Sequence, residues 1–158
     1  MGLPRTFVGF SSTDIRSYWL MCAWKEHENI DFNFVNCQLS QGINSEDEAY
    51  IKKKCRDRIN MAGTFISLIG QDTKSKHKYV CWELEVALEK GCRIIGVNLD
   101  GSRRMNPNTC PKIIQGVGAI FVPFSPQIIA YALENYQMKN SKNYYYPDSV
   151  YRKLGYSL

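Results

Sequence analysis

The segment from Lys76 to Leu99 constrains the fold most, and it reads KHKYVCWELEVALEKGCRIIGVNL. At about 100° per residue, a helix up to Lys90 presents one apolar face. That face carries Val80, Leu84, Ala87 and Leu88. Gly91 is typical of a helix stop, and the apolar run after it predicts a buried strand. Glu83 lies at the margin of the apolar face, where a carboxylate needs a hydrogen-bond partner or a functional role.

Strand and helix patterns alternate about five times along the chain. The predicted strands are Arg5–Ser11, Ile30–Leu39, Thr64–Gly70, Cys92–Leu99 and Ala119–Phe124. Helical patterns follow the first three strands, a long irregular loop follows the fourth, and a last helical pattern begins at Pro126. This order predicts an α/β fold with a five-stranded parallel sheet and helices on both of its faces. The strict alternation in the second strand places that strand toward an edge of the sheet.

The length of 158 residues predicts a single domain, 1–158, with a core of about 5–139. The aromatic tail, 140–158, is expected to pack on that core. No apolar run approaches the roughly 20 residues that span a bilayer, and no signal peptide is recognised at the start. We therefore expect a cytoplasmic protein without a membrane partner.

Composition excludes several classes of site. The six cysteines form no C-x-x-C pair and only two histidines are present, so no metal site is predicted. The basic run 52–58 follows acidic residues along one helix, which favours a solvated helix face over a nucleic-acid patch. No nucleic-acid partner is expected. The net charge of +5 is equally compatible with a small anionic ligand such as a dinucleotide.

Ligands of parallel sheets bind beyond the carboxyl ends of the strands. No G-x-G-x-x-G, Walker A or G-x-S-x-G motif occurs there, so dehydrogenases, P-loop enzymes and triad hydrolases are disfavoured. What remains is one partly covered carboxylate, Glu83, beside polar loops. One acid can stabilise an oxocarbenium-like centre or hold ribose hydroxyls while a good leaving group departs. From the residues alone, an ion-pair partner is the commoner role for such an acid.

Two motifs resemble a known family. FVGFSSTD, from Phe7 to Asp14, resembles the first conserved box of Toll/interleukin-1 receptor (TIR) domains. YVCWELE followed by KGCRIIGV resembles the TIR helix that bears the acid of NAD-cleaving members. The similarity is greatest to the TIR-like subfamily of Thoeris anti-phage defence systems and extends over about 5–136. The second box of receptor TIR domains is replaced by SQGIN at Ser40 to Asn44.

This resemblance implies a flavodoxin-like fold and an enzyme of the NAD+ nucleosidase or ADP-ribosyl cyclase type, latent until infection triggers it. NAD+ is then the substrate, and no cofactor is required. The family's catalytic glutamate falls on Glu83, and the substrate pocket includes Phe10, Ser11 and Asp14, with Trp82 flanking the acid. The product is a cyclic or modified ADP-ribose signal that activates a partner effector.

A second hypothesis is a non-catalytic module that associates with itself or senses a nucleotide, because a fold does not imply catalysis. In that case Glu83 is a structural ion-pair partner of Arg93 or of a loop lysine.

Overall fold

The computed structural model describes residues 3–36, 53, 56–57, 59–60, 62–74, 78–138 and 141–157. The strands are β1 (Arg5–Gly9), β2 (Asn33–Asn36), β3 (Thr64–Ile69), β4 (Arg93–Asn98), β5 (Ile120–Pro123) and β6 (Tyr144–Tyr145). The helices with described bounds are α1 (Ile15–His27), α2 (Lys78–Glu89), α3 (Pro126–Asn135) and α4 (Asp148–Lys153). Short 3-10 turns occupy Ser12–Asp14 and Lys112–Ile114. No helix in these ranges is long and apolar enough to cross a membrane.

The strands pair in parallel in the order β2-β1-β3-β4-β5-β6, which confirms the predicted α/β class. The predicted edge position of the second strand is also confirmed. The predicted number of five strands is wrong, because Tyr144 and Tyr145 add a sixth strand beside β5. Two aromatic residues are too few to show the alternating pattern of a strand. They form a strand because they pair with the open edge of β5, which is distant in the sequence.

Alternate side chains of the strands enter two hydrophobic clusters, one on each face of the sheet. Val8, Ile66 and Ile95 lie in the cluster that includes residues of α1, α3 and α4. Phe7 and Phe65 lie in the other cluster, together with residues of α2 and of the turn Lys112–Ile114. The predicted cover of helices on both faces is therefore confirmed.

The connection from α2 to β4 forms as the sequence predicts. Gly91 adopts a φ of 70°, which few other residues tolerate, and its N–H donates to the carbonyl of Leu88. The N–H of Cys92 donates to the carbonyl of Ala87. The helix thus ends at the predicted glycine. The predicted helix from Ser45 lies mostly outside the described residues, as does the segment Ser40 to Asn44.

The order of strands places a topological switch point between β1 and β3. The chain moves from β1 to β2 on one side and then returns to β3 on the other side. Crevices at such points are the usual ligand sites of open parallel sheets. We therefore expect a ligand site at the carboxyl ends of β1, β3 and β4.

Candidate active site

A cavity of about 480 Å³ lies at this carboxyl edge. Four parts of the chain form its walls: the turn that leads into α1 with the start of that helix, the end of β3, the end of β4, and the loop at Thr109. The described lining residues are Thr13, Asp14, Ser17, Ile69, Gly70, Gln71, Asp72, Leu99, Asp100 and Thr109. Three of them are aspartates, and no lysine or arginine lines the cavity among the residues that the structure describes. The cavity therefore favours hydroxyl groups and cationic centres.

Asp14 reaches the cavity because of two local features. The N–H of Asp14 donates to the carbonyl of Ser11 at 2.8 Å, which closes the turn between β1 and α1. A Cβ atom at Gly70 would lie 2.7 Å from each carboxylate oxygen of Asp14. Only a glycine at position 70 leaves room for the carboxylate above the end of β3. The structure thus brings Asp14 to the edge where the sequence predicts a ligand.

Phe10 and Ser11 lie deeper than Asp14. Ser11 is 4% exposed, and its hydroxyl lies 3.1 Å from the hydroxyl of Thr13, a lining residue of the cavity. Phe10 is also buried, and its ring stacks on Tyr18 with 4.8 Å between ring centroids. These contacts pack the first box against the core, with Thr13 and Asp14 as its members that line the cavity.

Thr73 shapes the loop that follows β3. Its hydroxyl accepts a hydrogen bond from the N–H of Gly70 at 2.8 Å and lies 3.4 Å from the carbonyl of Leu68. The side chain is almost fully buried. Asp72 is thereby held at the cavity, beside Asp14 and Asp100. No sequence motif predicts Thr73, Asp72 or Asp100; the available signal is their position just after a strand end.

Glu83 is the one buried carboxylate of α2, with only 5% of the residue exposed. It is the sixth residue of the helix, so it lies about 7.5 Å from the first residue at 1.5 Å per residue. Because α2 follows β3 directly, it begins at the edge that carries the cavity. Glu83 is more deeply buried than its predicted position at the margin of the apolar face implies. Glu85 is partly exposed, and Glu89 is exposed in an ion pair with Arg56.

Arg93, one of the two candidate ion-pair partners of Glu83, binds other groups. Arg93 donates to Thr64 Oγ1 and to the carbonyls of Leu133 and Tyr136, at 2.6 to 3.2 Å. These partners lie at the end of α3 and on β3. Lys74, a loop lysine, donates to the carbonyl of Pro107 at 2.7 Å.

Trp82 lines a second cavity, of about 610 Å³, together with Val80 and Cys81 of α2. Neighbouring helix residues point about 100° apart, so Trp82 and Glu83 do not share one direction. The described lining residues of this cavity are Thr73, Lys74, Val80, Cys81, Trp82, Pro111, Lys112 and Ile113. The predicted site residues are therefore distributed: Asp14 lines one cavity, Trp82 lines the other, and Phe10, Ser11 and Glu83 are buried.

A family model described as "Thoeris protein ThsB, TIR-like domain" matches residues 7–104. The matched region begins in β1 and ends just after β4, and it contains all five predicted site residues. No curated protein matches the chain.

Proposed function

Because this chain belongs to the TIR-like domain family of the Thoeris protein ThsB, a defence-related TIR module, we propose that it cleaves NAD+. In this proposal the bond between nicotinamide and ribose breaks, and the product is a cyclic or modified ADP-ribose that activates a partner effector. The observation that carries the proposal is the burial of Glu83 in the helix that begins at the switch-point edge.

Glu83 is the proposed catalytic residue. Its carboxylate binds the ribose hydroxyls and stabilises the positive charge that develops on the anomeric carbon. The electron pair of the breaking bond goes to the ring nitrogen of nicotinamide. Nicotinamide is cationic in NAD+ and therefore leaves as a neutral molecule, without a general acid. Water then attacks and loses a proton to give ADP-ribose, or a nucleophile of the same molecule attacks to give a cyclic product.

The proposed substrate residues are Phe10, Ser11, Asp14 and Trp82. The Asp14 carboxylate lies on the surface of an acidic cavity, which suits both ribose hydroxyls and the cationic ring of NAD+. Phe10 and Ser11 hold the turn that carries Asp14, and Trp82 offers an aromatic surface one residue before the acid.

A second candidate function is self-association without catalysis. Trp19 and Leu20 are 61% and 50% exposed on α1, although both are large and apolar. Adjacent apolar side chains on a helix surface are typical of contact sites between proteins. A concentration-dependent increase in mass that Trp19→Ala abolishes, with no NAD+ loss in any condition, would favour this candidate.

The experiment that tests the enzymatic proposal is mass spectrometry of small molecules in phage-infected cells. Cells with the wild-type chain are expected to lose NAD+ and to accumulate nicotinamide and an ADP-ribose derivative after infection. Cells with Glu83→Gln are expected to keep their NAD+. Equal NAD+ loss in both would reject Glu83 as the catalytic residue, and unchanged NAD+ in wild-type cells would reject the enzymatic function.

A further inference from the structure

The cavity beside Trp82 differs in character from the acidic cavity. Its walls are mainly apolar, with Val80, Pro111 and Ile113 around the indole of Trp82. Its charged lining residues are Lys74 and Lys112, and no aspartate or glutamate lines it in the described part of the chain. An apolar, aromatic-walled cavity with cationic groups suits a flat base that carries a phosphate.

The same two loops contribute lining residues to both cavities. Gly70, Gln71 and Asp72 line the acidic cavity, and the next residues, Thr73 and Lys74, line the cavity beside Trp82. In the second loop, Thr109 lines the acidic cavity and Pro111 lines the cavity beside Trp82. The hydrogen bond from Lys74 Nζ to the carbonyl of Pro107 joins the two loops.

The distribution of charge matches the two halves of a dinucleotide. The half with the cationic nicotinamide ring is favoured where aspartates gather. The half with adenine and its phosphate is favoured where lysines flank an apolar wall. Each half carries one phosphate, so the halves differ in the cationic ring, and opposite placement would remove that ring from Asp14, Asp72 and Asp100.

We propose that the cavity formed by Trp82, Ile113, Lys74 and Lys112 binds the adenosine monophosphate half of NAD+. This inference rests on the proposed function, since it deepens the substrate site of the same enzyme. The base lies against the apolar wall, and the phosphate lies near Lys112, whose side chain is exposed at the cavity. Lys112 is thus a binding residue and takes no part in bond cleavage.

The test compares Lys112→Glu with a charge-matched control, Lys142→Glu. Both lysines are exposed, so neither change is expected to disturb the core, and Lys142 lines neither cavity. Calorimetric titration with adenosine monophosphate is expected to show a Kd about tenfold higher for Lys112→Glu and a Kd within about twofold of wild type for the control. Absence of binding to wild type, or equal Kd values for both variants, would overturn the proposal.

Kinetics give a second readout. Nicotinamide mononucleotide lacks the adenosine monophosphate half, so Lys112→Glu is expected to raise KM for NAD+ about tenfold and to leave kcat/KM for nicotinamide mononucleotide unchanged. Equal losses for both substrates would overturn the assignment. If the wild-type chain releases no nicotinamide in extracts of infected cells, the enzymatic function fails, and the titration still decides whether the cavity binds the nucleotide.

Cysteine labelling locates the ligand independently of turnover. Cys81 lines the cavity and Cys22 lies on α1, and both thiols are exposed and free of disulfides. Saturating adenosine monophosphate is expected to slow alkylation of Cys81 severalfold and to leave that of Cys22 unchanged, as read by peptide mass spectrometry. Equal alkylation rates of Cys81 with and without the nucleotide would contradict its binding there.

Discussion

At the scale of single residues, the space at Gly70 decides where the Asp14 carboxylate lies. Both oxygens of Asp14 occupy the volume that a side chain at Gly70 would need. The carboxylate is thereby held above the end of β3, in the wall of the acidic cavity. The position of Asp14 therefore depends on the absence of a side chain at Gly70, which is distant in the sequence.

We therefore expect Gly70→Ala to displace Asp14 and to lower NAD+ cleavage by about tenfold or more, since small misplacements in an active site are costly. Nicotinamide release per folded protein is the measurement. Gly63→Ala is the matched control, because a Cβ atom at Gly63 meets nothing within 4 Å. Equal activity of the two variants would show that the position of Asp14 does not matter for the reaction.

At the scale of secondary-structure elements, Arg93 joins the start of β4 to the end of α3. The last carbonyls of a helix lack partners within the helix, and here Leu133 and Tyr136 receive theirs from the Arg93 guanidinium. The same guanidinium binds Thr64 Oγ1 on β3. One side chain thus ties three elements together, close to the amino ends of the strands.

Arg93→Ala is expected to lower the free energy of unfolding by about 2 to 3 kcal/mol, because it removes hydrogen bonds from a charged donor to partly buried acceptors. Urea unfolding measures the change. Arg56→Ala removes only the exposed ion pair with Glu89 and is expected to cost less than about 1 kcal/mol. A loss for Arg93→Ala no larger than that of Arg56→Ala would contradict the structural role of Arg93.

Elements with their own periodic pattern can be predicted from the sequence, whereas features made by distant contacts cannot. Helix α2, its end at Gly91 and strand β4 carry local signals, and the structure confirms them. Strand β6 has only two residues and is ordered by β5. Likewise, Asp14, Asp72 and Asp100 line one cavity only because β1, β3 and β4 end at the same edge of the sheet.

At the scale of the whole molecule, the tail covers one face of the core with tyrosines. Burial raises the pKa of Tyr151 to about 12, and the pKa of Tyr136 to about 12 with a further contribution from Tyr144. Burial also raises the pKa of Tyr146. Because folding favours the neutral phenols, this contribution to stability is complete below about pH 10 and is lost as the pH rises toward 12.

We expect the free energy of unfolding to fall between pH 10 and pH 11, with about 1 kcal/mol of the loss due to Tyr151 alone. Tyr151→Phe is expected to reduce the loss by that amount. At pH 8 it is expected to be neutral, since the Tyr151 hydroxyl is buried without a hydrogen-bond partner in the described part of the chain. Urea unfolding at each pH is the measurement, and an unchanged pH dependence in Tyr151→Phe would contradict this origin.

Nicotinamide release is the most direct test of Glu83 as the catalytic residue. Extracts of infected cells with wild type, Glu83→Gln or Glu85→Gln are incubated with NAD+, after thermal unfolding of each purified chain has shown that it is folded. We expect a loss of at least about 100-fold for Glu83→Gln and a change within about twofold for Glu85→Gln, which is partly exposed on the same helix. Release at the wild-type rate by folded Glu83→Gln would show that Glu83 is not the catalytic residue.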